Sequence, residues 1–217
     1  EHNALMIEDA AESLGATYNG KKTGCFGDYG VISFNGNKII TGSSGGMFLC
    51  KDQESADKAR KWSTQSRENA LWYQHEEIGY NYRMPNISAA IGIEQLRKLD
   101  HMNSRRVYNA QYYIDNIKNQ DVVLPKLQKG HVFHQFTVKI QNGKRNRFIQ
   151  YLEDKEIGYG IFYPLTMPEQ KCYENRHFET KYETADRIKE QVVSLPVHPG
   201  LSGKDLQYVV ESINNFR

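Results

Sequence analysis

Lys38, Asp9 and Ser33 are the three residues whose types and surroundings suggest chemistry. Lys38 follows Ser33-Phe34-Asn35-Gly36-Asn37 at the end of a strand-like run and precedes the turn Thr41-Gly42-Ser43-Ser44-Gly45-Gly46. A lysine that forms a Schiff base must reach a carbonyl compound bound at the strand ends, and it reacts as the free amine. Asp9 closes the apolar run Ala4-Leu5-Met6-Ile7. A carboxylate at the end of a parallel strand can keep a pyridine nitrogen protonated, so that the ring draws electrons from a neighbouring carbanion. The Ser33 hydroxyl, close to the lysine in sequence, suits a phosphate oxygen. Taken singly, Lys38 reads as a solvated loop lysine and Asp9 as the cap of the following turn.

These residues depend on the elements that carry them. Ala4–Ile7 reads as a buried strand ending at Glu8-Asp9, Tyr29–Phe34 as a second strand, and Gly45–Cys50 as a third. Asp52 caps a helix through Ala56, Ala59 and Trp62. Residues 68–83, ENALWYQHEEIGYNYR, lose all periodicity, and a loop of that length inside a compact domain usually serves a site. Asn86 caps a long helix with Ile87, Ile91, Leu96 and Leu99 on one stripe, continuing past Tyr108 toward Ile117. Beyond the connector at 122–129, a strand is expected over His134–Ile140 and a helix over Asn146–Lys155. Gly160–Tyr163 is strand-like, and helices follow over Thr184–Val192 and Ser202–Phe216.

In order, Ile7-Glu8-Asp9-Ala10-Ala11-Glu12-Ser13-Leu14-Gly15-Ala16, Gly24-Cys25-Phe26-Gly27-Asp28 and Ser33-Phe34-Asn35-Gly36-Asn37-Lys38 closely resemble the DegT–StrS family of sugar aminotransferases. Gly79-Tyr80-Asn81-Tyr82-Arg83-Met84 and the helix after it extend the likeness, and Val132–Val138, Ile157–Pro164 and Leu195–Pro199 carry it on more weakly. The resemblance implies an α/β chain. Residues 1–105 would be the C-terminal part of the large domain of a fold type I, aspartate aminotransferase-like enzyme that binds pyridoxal 5'-phosphate, including the start of a bridging helix. Residues 106–217 would be its small α+β domain.

The same resemblance implies site roles. Lys38 would be the Schiff-base lysine and proton shuttle, Asp9 the partner of the pyridine nitrogen, Glu12 a residue beside the ring and Ser33 a phosphate ligand. Asn81 would reach the cofactor phosphate of a neighbouring subunit, which implies a homodimer. Arg83 would bind the phosphates of a sugar nucleotide or form a structural ion pair at the helix start. The implied reaction moves an amino group from an amino acid, glutamate by family habit, to a nucleotide-linked keto sugar in amino-sugar biosynthesis for surface polysaccharide or glycoprotein. Family members carry a long portion ahead of the Asp9 strand, with the first strands, a phosphate-binding helix N-terminus and a stacking aromatic residue. The chain is therefore expected to expose a sheet edge and to associate or repack there. A catalytically inactive fragment acting as a binding or assembly module is the alternative.

Composition narrows the remaining classes. The chain has 217 residues, 25% of them charged, with a net charge of +2. Its two basic clusters, Lys58-Ala59-Arg60-Lys61 and Lys144-Arg145-Asn146-Arg147, read as solvated helix faces rather than a nucleic-acid surface. Cys25, Cys50 and Cys172 form neither a disulfide framework nor a metal motif, which fits a reducing, cytoplasmic setting. No apolar run is long enough to cross a bilayer. His75, His131 and His134 have no partners at metal-ligand spacing, so no metal is expected. Gly42–Gly46 lacks the lysine arrangement of a P-loop and reads as a tight turn.

Overall fold

A computed structural model describes residues 2, 4–176 and 182–217. The chain divides into two compact units: residues 1–104 with 129–134, and residues 105–128 with 135–217.

The first unit is built on a short mixed sheet. Strand β1 (Ile7–Asp9) is followed by a hairpin of β2 (Thr17–Tyr18) and β3 (Lys21–Lys22). Asn19 and Gly20 turn that hairpin with φ of 49° and 79°, the left-handed pair a two-residue hairpin turn requires. Strand β4 (Tyr29–Ser33) lies parallel to β1, with Asp9 opposite Val31. Strand β5 (Gly46–Cys50) returns antiparallel to β4, with Ser33 opposite Gly46. Helix α1 (Gln53–Ser63) starts as expected, with the Asp52 carboxylate accepting the Ser55 N–H at 2.7 Å.

Three expectations for this unit need correction. The strand before Asp9 is not buried: Leu5, Met6 and Ile7 are 77, 50 and 70% exposed. Among the described residues β1 pairs with β4 alone, so its outer edge and apolar side chains have no cover. The long helix from Asn86 is two helices, α2 (Asn86–Leu96) and α3 (Leu99–Asn116), and Pro85 rather than Asn86 stands at the cap. Continuous apolar spacing fixed the stripe but could not register the break at Arg97-Lys98. The stripe itself is open, since α2 has no buried residue and Ile87, Ile91 and Leu96 are all exposed.

The 64–84 segment is an irregular loop, as its lost periodicity predicts, but it is fastened to the end of α1. Tyr80 N–H donates to the Trp62 carbonyl at 2.6 Å, and Tyr82 and Arg83 donate to the Ser63 carbonyl. Lys58 and Lys61 bind Glu77 at 2.7 and 3.2 Å, and Lys61 also binds Glu68 at 2.6 Å. Two lysines of the basic cluster of α1 therefore hold this loop, while Arg60 pairs with Asp57 on the helix itself.

The second unit is a small antiparallel sheet covered by helices. It contains β6 (Val122–Val123), β7 (Phe136–Ile140), α4 (Arg145–Asp154), α5 (Glu183–Lys189), β8 (Val192–Leu195) and α6 (Gly203–Asn215), with strand order β6-β7-β8. Alternation in β7 buries Phe136, Val138 and Ile140, and Phe148 and Leu152 of α4 and Leu206, Val209 and Ile213 of α6 are buried core residues of the same unit. Ser202 and Asp205 form a reciprocal capping box at the start of α6. Sequence periodicity extended α5 through Val192; instead Val192–Leu195 forms a fully buried strand. A short continuous apolar run fits either state, and pairing with β7 decides it. Gly160–Tyr163 supplies only an isolated bridge, Gly160 to Ser194.

Candidate active site

The parallel pair β1–β4 determines where the candidate site lies. Parallel strands deliver their C-terminal ends to the same edge, so Asp9 and the segment running from Ser33 to Lys38 leave the sheet on one side. The Asp9 carboxylate accepts the Ala11 N–H through Oδ1 at 3.0 Å, which is the turn cap that such an aspartate offers. Its Oδ2 makes no hydrogen bond among the described residues, and the residue is exposed. One oxygen thus fixes the turn while the other is open to a donor.

The preceding residue fastens the 24–26 segment to β1. The Glu8 carboxylate accepts the N–H groups of Gly24 at 2.6 Å and Phe26 at 2.7 Å. Partial burial works to raise its pKa, but those bonds, with Gly27 and the charge of Lys21, hold it below the ordinary carboxylate value. Glu8 was not singled out in the sequence. An acid alternating with Asp9 on a strand was the available signal, since Glu8 must face the opposite side.

Lys38 is largely enclosed, with its side chain 13% exposed, and its Nζ lies 3.0 Å from Glu12 Oε1. The residues that follow are anchored in the core. Ile39 and Ile40 are buried with Ala16 and Val132, with Leu14, Phe34, Leu99 and Met102 packed against them. Thr41 hydroxyl donates to the Phe34 carbonyl at 3.0 Å, and its N–H donates to Gln95 Oε1 at 2.9 Å. Lys38 is therefore not a freely solvated loop lysine. Ser33 stands at the end of β4, where its hydroxyl accepts the Asn35 N–H at 3.3 Å.

The structure brings Lys38 and Glu12 into direct contact and carries Asp9 and Ser33 on the adjoining strand ends. Asn81 and Arg83 lie elsewhere in the same unit. Both are exposed, on the loop tied to α1, and neither bonds to Asp9, Glu12, Ser33 or Lys38. A residue that sequence spacing had set aside, His134, joins the cluster, with Nε2 3.5 Å from Glu12 Oε1 and its side chain 8% exposed.

This donor set fits pyridoxal phosphate. An enclosed primary amine, a carboxylate with one open oxygen and a hydroxyl at a strand end match an aldehyde carbon, a pyridine nitrogen and a phosphate oxygen respectively.

The family described as the DegT/DnrJ/EryC1/StrS aminotransferase family matches residues 1–214. The chain belongs to this family. A GDP-perosamine synthase from Escherichia coli O157:H7 is 37% identical over 219 residues, covering 99% of this chain and 58% of that protein. A dTDP-3-amino-3,6-dideoxy-alpha-D-galactopyranose transaminase from Aneurinibacillus thermoaerophilus is 33% identical over 222 residues, covering 100% of this chain and 59% of its own length. A crystal structure of a DegT DnrJ EryC1 StrS aminotransferase from Brucella abortus superposes with a TM-score of 0.87 at 27% identity, over 96% of this chain and 56% of that one. The fold is thus α/β and part of the aminotransferase fold. The chain spans 58 to 59% of the length of these curated relatives. Among the described residues no helix is long and apolar enough to cross a membrane.

Proposed function

We propose that the chain carries the lysine-bearing part of a pyridoxal-phosphate-dependent aminotransferase that acts on a nucleotide-linked keto sugar. The amino donor is an amino acid, with glutamate the first to test. The observation that carries this reading is the enclosed Lys38 amine, held at Glu12 3.0 Å away, beside the parallel strand that ends in Asp9. Bound pyridoxal phosphate supplies an electron sink for the carbon that loses its proton. Lys38 Nζ would hold the cofactor covalently and, once released, carry the proton to and from the substrate carbon. Asp9 Oδ2 would keep the pyridine nitrogen protonated, and Ser33 would hold a phosphate oxygen. Glu12 would orient the lysine amine between these roles.

In this proposal residues 1–105 belong to the large domain and 106–217 to the small one, apart from the 129–134 segment, which packs with the former. The protein acts as a cytoplasmic homodimer in which Asn81 reaches the partner's cofactor phosphate and Arg83 the sugar-nucleotide phosphates. The exposed placement of both residues, away from the Lys38 cluster, supports a role toward another subunit. The relatives named for GDP- and dTDP-linked sugars support the substrate class.

A second reading is favoured by the open apolar side chains of β1 and α2: an inactive chain that keeps the fold as a binding or assembly module. The two part on one experiment. With pyridoxal phosphate and glutamate, the protein should release 2-oxoglutarate stoichiometrically in a single turnover, and Asp9→Asn should slow that release at least tenfold. No 2-oxoglutarate from a folded, cofactor-loaded protein favours the module.

A further inference from the structure

The segment 129–134 leaves the second unit's sequence and returns to the first. Two contacts fasten it there. Thr17 N–H donates to the Gly130 carbonyl at 2.9 Å. Gly130 has φ +86°, and a Cβ on it would meet the Thr17 carbonyl oxygen at 2.1 Å, so only glycine fits that crossing. Val132, two residues on, is buried with Ile39 and Ile40, the residues immediately after Lys38. Phe133 then turns the chain with φ +50°, its N–H donating to His131 Nδ1 at 2.9 Å. This left-handed turn brings His134 onto Glu12.

We propose that His134 is a positioning residue that holds the Glu12 carboxylate against Lys38. Glu12 is 44% exposed and would otherwise swing into water. Its Oε1 receives both the Lys38 ammonium at 3.0 Å and the His134 Nε2 at 3.5 Å. The imidazole is 8% exposed and the lysine 13%, so the mobile member of the cluster is flanked by two enclosed ones. At 3.5 Å the His134 contact is longer than an N–H···O hydrogen bond of about 2.7–3.2 Å, so it is an electrostatic contact that suits orientation better than tight binding. The segment that carries the histidine packs through Val132 on Ile39 and Ile40, which follow the lysine.

The catalytic meaning of this arrangement rests on the aminotransferase reading, but its test does not. In the full chain without added cofactor, the rate at which 2,4,6-trinitrobenzenesulfonate labels Lys38 is followed by peptide mass mapping. Glu12→Ala removes the ion pair and should raise Lys38 labelling about threefold, the scale of a partly exposed pair. His134→Phe should raise it by nearly the same factor, and the double variant should go no further than Glu12→Ala alone. His134→Gln, which keeps an N–H donor of the same reach, should restore wild-type labelling. If His134→Phe does not fold, His134→Asn, whose amide is too short to reach Glu12, takes its place. Unchanged labelling in the histidine variant, or an undiminished effect in the Glu12→Ala background, overturns the proposal. Because no pyridoxal phosphate is used, failure here leaves the aminotransferase reading standing. Failure of that reading leaves this result intact.

Discussion

Replacing Glu8 should loosen the 24–26 segment by a predictable amount. Its carboxylate accepts two backbone N–H groups, from Gly24 and Phe26, at 2.6 and 2.7 Å. Hydrogen bonds to a charged partner contribute ~1.5–3 kcal/mol each. Gly24 is buried and cannot easily turn to water, whereas Phe26 is half-buried and can recover part of its loss. Glu8→Ala should therefore cost about 2–3 kcal/mol, and Glu8→Gln, which keeps one acceptor oxygen, roughly half of that. At ~1.4 kcal/mol per factor of ten, the alanine variant should speed native-state amide exchange at Gly24 and Phe26 by roughly 30- to 140-fold.

Acid should reproduce the effect. Although partial burial pushes the other way, the hydrogen bonds hold the folded carboxyl below its ordinary 4.5. Their stabilisation is then fully present above pH 4.5 and is lost as pH falls through the lower folded value. Amide exchange by NMR, on wild type and both variants, checks magnitude and order together. A change below threefold at both amides would refute the reasoning, because the carboxylate would then be a spectator to the loop.

Other consequences are simpler to state. Tyr113 is fully buried, with its hydroxyl donating to the Pro196 carbonyl at 2.8 Å; Tyr113→Phe strands that carbonyl and should cost about 1–2 kcal/mol in urea denaturation. Burial, with the charge of Asp205, also pushes the Tyr113 phenol well up, so its ultraviolet ionisation should appear only on unfolding. Glu77 is held down to about 2, first by Lys58, then by Trp62 and Lys61. The Glu77 part of the tie between the 64–84 loop and α1 should thus persist through pH 4.5 and be lost as pH approaches about 2, which Trp62 fluorescence follows. Gly130→Ala should detach the 129–134 segment from Thr17, seen as faster amide exchange at Thr17.

The sequence made the candidate site's position legible because its residues fall at strand ends: Asp9 and Ser33 close β1 and β4, and Lys38 follows within a few residues. It did not show that Glu12 reaches Lys38, since the two are 26 residues apart and meet only after the parallel pairing forms. His134 was less visible still. It is brought to Glu12 by a left-handed turn at Phe133, and no local pattern forecasts a turn made by a phenylalanine. The buried strand expected before Asp9 failed for a different reason. Apolar runs report that a surface wants cover, not that this stretch of chain supplies it, and Leu5, Met6 and Ile7 stand open. Val192 reads as the last residue of a helix because a short apolar run carries no period, and only the ladder with β7 makes Val192–Leu195 a strand.

The most direct test of the central claim is a visible absorption spectrum of the purified protein with pyridoxal phosphate, beside Lys38→Ala. The account predicts a yellow band in the wild type that survives dialysis, bleaches on adding glutamate and is absent from the variant. A dialysis-stable band that persists unchanged in Lys38→Ala, or no band in a folded wild type, would contradict it.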